Sequence, residues 1–357
     1  MNEVDDLHRY ELSVELREEI FRTRIAPTLD VPAQKEPLLV IVGGQPGAGK
    51  SRQAETVMHV LGMRGGAAHI DGDLFKPHHP EYARLRLHDD RTAGAYTRLD
   101  TRAWCAMAED RAQTRRVDVV LDSAMASPES MASTTERFRT ASYQVHVLAI
   151  ATPAAVSTLS MADRYAEMRA RHGFGRFVSR ANHDACYTDM LETATRIDSD
   201  RNVNAVFARR RDDVTLYMND RLPNGSWRNE PGLARAVDAE RSRPWTRQES
   251  LAFAVQLNRV AHALKQVTPE SSRPQWQEDL RHVADLARPL AVAGTPLEAA
   301  AAGQLAPAGF NAARLTDPAY PRRFVLENSN TGQNKVPETD PLAHRQITRP
   351  IRGPEGR

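Results

Sequence analysis

Apolar residues in this chain fall into short blocks, and in the longer stretches between the blocks they recur every three or four positions. The run Leu38-Leu39-Val40-Ile41-Val42 has the length of a strand and opens directly into Gly43-Gly44-Gln45-Pro46-Gly47, which predicts a strand buried on both faces. Residues 67–70, 117–121 and 143–150 read as further strands, with 203–207 and 214–217 closing the sheet at an edge. Helical spacing fills the gaps. Ala54, Val57, Met58 and Leu61 form one stripe after Lys50, a helix spans about 153–171, and another carries Cys186, Met190, Ala194 and Ile197 on one face. A leading amphipathic helix is expected over 6–25, with Leu12, Leu16, Ile20 and Phe21 in register, Ser13 near its start, and Pro27 and Pro32 ending it. Strands alternating with helices imply a three-layer α/β fold with a mostly parallel sheet.

Beyond Arg221 the apolar positions, among them Phe253, Leu257, Val260 and Leu264, are purely helical in period. The expected organisation is a leading helical segment (1–35), an α/β domain (36–220), a helical extension (221–327) and a Pro-rich, aperiodic, disordered tail (328–357).

Composition narrows the class. At about 150 residues per domain, 357 residues make roughly two domains or one large domain with appendages. With 41% hydrophobic and 26% charged residues, neither a disordered chain nor a disulfide scaffold fits. The two cysteines, Cys105 and Cys186, have no paired spacing and suit a reducing compartment, so a cytoplasmic location is expected. Lys and Arg number 48 against 46 Asp and Glu, a balance that argues against a dedicated nucleic-acid binder. The acidic start (Glu3, Asp5, Asp6, Glu11) is no secretory signal, and no apolar run approaches the roughly 20 residues of a membrane span.

Gly44-Gln45-Pro46-Gly47-Ala48-Gly49-Lys50-Ser51 satisfies G-x-x-x-x-G-K-[ST] between a predicted strand and a predicted helix, so the fold is expected to be P-loop kinase-like. Glycines at this spacing let backbone N–H groups turn inward on phosphate oxygens. Lys50 then reaches the β and γ phosphates of ATP, and the Ser51 hydroxyl is the expected ligand of Mg²⁺. Asp71 and Asp73 follow the second strand, where the carboxyl ends of neighbouring strands face the nucleotide. Either carboxylate can take a proton from a substrate hydroxyl there, although Asp-Gly-Asp also builds an ordinary turn.

The loop, followed by Ile70-Asp71-Gly72-Asp73-Leu74-Phe75-Lys76 and His79-Pro80-Glu81-Tyr82, resembles the zeta toxin family of P-loop kinases over about residues 8–220. The likeness continues through Arg164-Tyr165 and the stretch from Arg176 to Asp184. It implies a kinase that phosphorylates the 3′ hydroxyl of UDP-N-acetylglucosamine, serves as the toxin of a toxin–antitoxin system, and is held inactive by a small helical antitoxin. By the same resemblance Asp73 becomes the general base beside Lys50, Arg164 and Arg176 meet the γ phosphate, and Asp71, Phe75, His79 and Asp122 lie at the substrate. Arg180 is the weaker choice for the second arginine. One departure stands out: Asp122-Ser123-Ala124 replaces the family's Glu-Gly-Thr at the sugar-contacting strand end. The same machinery could therefore serve another metabolite hydroxyl, such as that of a dinucleotide or an antibiotic, or a polynucleotide end; a non-catalytic ATP-binding switch is the remaining class.

His69, His78 and His79 match no helical metal-ligand spacing. Core packing is the expected use of Cys105, Cys186, Trp104 and Tyr96.

Overall fold

The computed structural model describes residues 8–305; residues 1–7 and the predicted tail 328–357 lie outside the described residues. Six strands, β1 (Leu38–Gly43), β2 (Ala68–Ile70), β3 (Val119–Ser123), β4 (Gln144–Ile150), β5 (Ala205–Arg209) and β6 (Thr215–Asp220), form one sheet in the order β2-β3-β1-β4-β5-β6. All neighbours are parallel except β5 and β6, which form an antiparallel edge. The helices up to β4 are α1 (Val14–Ile20), α2 (Lys50–Gly62), α3 (Gly72–Phe75), α4 (Tyr82–His88), α5 (Ala93–Tyr96), α6 (Arg98–Arg115) and α7 (Pro128–Thr140). After β4 come α8 (Ala154–His172), α9 (Arg180–Ser199), α10 (Leu233–Arg241), α11 (Arg247–Val267), α12 (Arg273–Ala287) and α13 (Leu297–Ala301). The expected P-loop kinase-like α/β architecture with C-terminal helices is thus the observed one.

Alternation along β1 divides the core. Leu39 and Ile41 face one side, where they pack with Trp104 of α6, Phe138 of α7, and Met190 and Ile197 of α9. Val40 and Val42 face the other side, against Ala54 and Leu61 of α2. A third cluster joins α8 to α11, α12 and α13 through Leu159, Tyr165, Leu257, Val260, Trp276 and Leu280. No helix among the described residues is long and apolar enough to cross a membrane.

The leading helix and several strands differ from the sequence reading: β5 is observed at Ala205–Arg209 against the expected 203–207, and β6 at Thr215–Asp220 against 214–217. The leading helix starts at Val14, because Ser13 caps it by accepting from Leu16 N at 3.3 Å, and the chain before it is held by Asp100, which accepts from Leu12 N. It then loosens into a π turn (Phe21–Ile25) and a 3₁₀ turn (Ala26–Leu29). β3 is displaced toward its carboxyl end. Val117 makes only an isolated bridge to Ala33, while Asp122 and Ser123 pair with Val42 and Gly43 as full members of the strand.

Phe138 is fully buried and meets Tyr143 edge-to-face at 4.9 Å. Phe138→Ala should cost about 3–5 kcal/mol of unfolding free energy in urea titrations followed by circular dichroism; an unchanged midpoint would contradict this packing.

Candidate active site

β1 delivers the glycine-rich loop at its carboxyl end, and Gly44 N donates to Ser123 O at 3.1 Å, tying the loop to β3. Gly47 and Gly49 have φ of +78° and +103°, the left-handed region in which a side chain is strained. At Gly47 space forbids a side chain as well, since a Cβ would come within 2.1 Å of Ser157 O. Lys50, the first residue of α2, folds back over the loop and donates from Nζ to Gly44 O at 2.8 Å and to Gln45 O at 3.3 Å. Burial lowers its pKa, and the charges of Asp122, Arg176, Asp73 and Asp71 all reach it. Ser51 is exposed beside it.

Pro46, Ala48 and Gly49 complete the turn, with Ala48 N donating to Gln45 O and Thr152 Oγ1 donating to Ala48 O at 3.0 Å. The Gln45 side chain points beneath the loop. It is fully buried, donates to Thr152 O at 2.8 Å and Ser157 Oγ at 3.1 Å, and accepts from Arg241 Nη2 at 2.8 Å.

Asp71 caps the short α3, its Oδ1 accepting from Asp73 N at 2.9 Å. Burial, followed by the neighbouring Asp73 charge, raises its pKa. Asp73 moves the other way. Burial pulls its carboxyl upward, but Arg176, Lys76 and Arg164 outweigh it and hold the group below its ordinary range. The Arg176 guanidinium is in direct contact with Asp73 Oδ2, and Lys76 Nζ donates to Oδ1 at 3.0 Å. Arg164, exposed on α8, is near enough for its charge to act on Asp73, so the structure brings Lys50, Asp71, Asp73, Arg164 and Arg176 together around the loop. Arg180 is exposed at the start of α9.

Of the other expected substrate residues, Asp122 lies near the loop while Phe75 and His79 are buried. Asp122 stands one strand from the loop, with His69 Nε2 3.4 Å from its carboxylate. Phe75 packs in the main core. His79 turns inward: its ring has no exposed surface and meets Tyr10 O at 3.1 Å, Asp100 at 3.3 Å and Glu81 N at 3.2 Å. It joins the leading segment to α6.

Sequence reasoning missed the layer under the loop. Arg241 of α10 is buried, stacks 3.9 Å from the Tyr187 ring centroid and donates to Tyr187 O, and burial brings its pKa down to about 10. Ser157 Oγ lies 2.8 Å from His183 Nε2, and His183 Nδ1 lies 2.9 Å from Asp184. Burial keeps the ring's pKa low; with the ring neutral, Nδ1 donates to Asp184 and Nε2 accepts from Ser157. Ser157 and His183 have no exposed surface, so this trio is a strut and not a nucleophile. Its only sequence signal is a His-Asp pair without a local partner.

A glycine-rich loop at the end of a central parallel strand, facing an acidic turn and two arginines, defines a P-loop, kinase-like protein. The family model for the zeta toxin matches residues 22–221, more than half of the chain, and the chain belongs to that family. Toxin PezT of Streptococcus pneumoniae serotype 4 (strain ATCC BAA-334 / TIGR4) is 23% identical over 193 residues, which are 53% of this chain and 71% of PezT. A solved structure from the PezAT chromosomal toxin–antitoxin system of the human pathogen Streptococcus pneumoniae superposes with a TM-score of 0.59 at 17% identity, covering 72% of this chain and 98% of that one.

Gly47→Ala should weaken binding of a nucleoside triphosphate by at least about tenfold, about 1.4 kcal/mol, in calorimetric titration with the far-UV spectrum unchanged. Undiminished binding would mean that the loop does not need its close approach to Ser157.

Proposed function

We propose that the protein is an ATP- and magnesium-dependent kinase for a hydroxyl of a small molecule, first among them the 3′ hydroxyl of UDP-N-acetylglucosamine, acting as the toxin of a toxin–antitoxin pair. The observation that carries this reading is the contact of Asp73 with Arg176 at the mouth of the loop. A base and a phosphate-binding cation stand side by side where the terminal phosphate of ATP held by residues 44–51 would lie.

Of the two carboxylates, Asp73 suits the part of base. Asp71 is occupied as a helix cap and its pKa is raised, whereas Asp73 is held ionised. When Arg176 turns to the γ phosphate, Asp73 loses its strongest stabilising charge and becomes more basic, at the moment when the acceptor hydroxyl must give up its proton. The hydroxyl oxygen then bonds to the γ phosphorus, the bond from that phosphorus to the β–γ bridging oxygen breaks, and the proton passes to Asp73. Lys50, Arg164 and Arg176 offset the charge on the transferring group. The Ser51 hydroxyl is an oxygen donor of the kind that Mg²⁺ takes, with the Asp122 carboxylate near Lys50 a second, and the ion when bound would offset negative charge on the phosphates.

A second reading, the same chemistry on another nucleotide-like hydroxyl, is favoured by Asp122-Ser123-Ala124, where a shorter acid sits beside His69. The solved PezAT protein comes from a toxin–antitoxin system, and for this chain we expect a small antitoxin likewise.

Asp73→Asn should bind ATP as the parent does while transferring phosphate roughly 10²–10⁴ times more slowly in product assays; near-parent turnover would remove Asp73 from the role. In the pH profile, kcat/KM for ATP should stay level on the acid side to about pH 5, because the free-enzyme base ionises below the ordinary aspartate value of about 3.9, and the acid limb of kcat should lie at higher pH. An acid limb of kcat/KM near the ordinary histidine value of about 6.5 would assign the proton to a histidine.

A further inference from the structure

The residues next to Arg164 and Arg176 in sequence are tied to the C-terminal helices. Tyr165 follows Arg164 and Phe177 follows Arg176, and both rings pack on Trp276 of α12, with centroids 5.0 and 6.3 Å away and 6.2 Å from each other. Asp163, which precedes Arg164, accepts from Gln256 of α11 at 3.2 Å and pairs with Arg259 of the same helix. On the other side of Arg176, Gly175 N donates to the buried Asp90 carboxylate at 2.6 Å. Asp90 also accepts from Arg169 Nη1 at 2.8 Å and from the Tyr165 hydroxyl at 3.2 Å, and Arg169 Nε donates to Val267 O at the end of α11. Gly175 must be glycine for this to close, since a Cβ would lie 2.3 Å from the Tyr165 ring.

We propose that Asp90, in the turn between α4 and α5, and the helices after residue 246 together form a positioning device for the phosphoryl-transfer arginines, with Asp90 and Trp276 as the positioning residues that fix the backbone beside Arg164 and Arg176. The inference rests on the kinase reading for the role of those arginines. The clamp itself stands on packing and hydrogen bonds. A guanidinium at the end of a long side chain meets a moving phosphoryl group only if its backbone is fixed, because misplacement by about 1 Å can cost about 10²-fold in rate. In this chain the backbone of 174–177 has no helix or strand to hold it. Asp90 supplies the polar tie and Trp276 the apolar one. The loop of residues 44–51 is not part of the clamp, so the two can fail separately.

The test uses the full chain with Trp276→Leu, Asp90→Asn and the conservative Trp276→Phe. Three quantities are read: hydrogen exchange across 173–178, ATP affinity, and kcat with KM. Trp276→Leu and Asp90→Asn should speed exchange at Gly175 and lower kcat by up to about 10²-fold, with a much smaller loss of ATP affinity because the loop of residues 44–51 still holds the nucleotide, while Trp276→Phe stays near the parent. Unchanged exchange at Gly175 in both variants overturns the clamp, and so does faster exchange with kcat intact. If Trp276→Leu does not fold, Asp90→Asn decides by the same readings. A parent protein that binds ATP but phosphorylates no acceptor sinks the kinase reading instead, and the exchange data then still report whether the clamp exists.

Discussion

Both faces of β1 are covered, and both of its edges are paired, to β3 on one side and β4 on the other. A chain leaving such a strand can turn only at its carboxyl end, and the loop, the acidic turn and Asp122 are all hung from that end of the sheet. β1 supplies the loop, β2 the acidic turn, β3 Asp122 and β4 Thr152, which steadies the loop from below. The hydrophobic effect that buries Leu39, Ile41, Val40 and Val42 is thus what aims the polar groups.

The charges so gathered are mutually dependent. Lys50, Arg164 and Arg176 lie close to Asp71, Asp73 and Asp122, and burial works against the charged forms of Lys50, Arg164, Asp71 and Asp73. The result separates two aspartates only two residues apart, one pushed up and one held down. An anionic ligand entering this set competes for the cations and so shifts the proton affinity of the acids they had stabilised. In the proposed reaction the same guanidinium would link binding to proton transfer.

What the sequence makes legible is what is local. The strands announce themselves as apolar runs, and the loop by the interval of its glycines before Lys50. The extension of β3 to Ser123 escapes that reading because Asp122 and Ser123 are polar and join the sheet only through pairing with β1. The contact of Asp73 with Arg176 has no local signature either: Asp73 is legible from its place after the second strand, but only the likeness to a family brought Arg176 to notice. Asp90 sits in a polar stretch like any other until Gly175, Tyr165 and Arg169 close on it from far along the chain. Arg241 and Trp276 likewise lie beyond the family's span and matter through packing that no periodicity encodes. His79 illustrates the converse, a residue that stands out in a motif and whose ring is turned into the core.

Phosphoryl transfer at the loop is measured most directly by mass analysis after the full chain is incubated with magnesium, ATP and UDP-N-acetylglucosamine, with other nucleotide and antibiotic hydroxyls in parallel. One added phosphate on a member of that panel is the predicted result. A protein that binds the nucleotide and leaves every acceptor unmodified would contradict it.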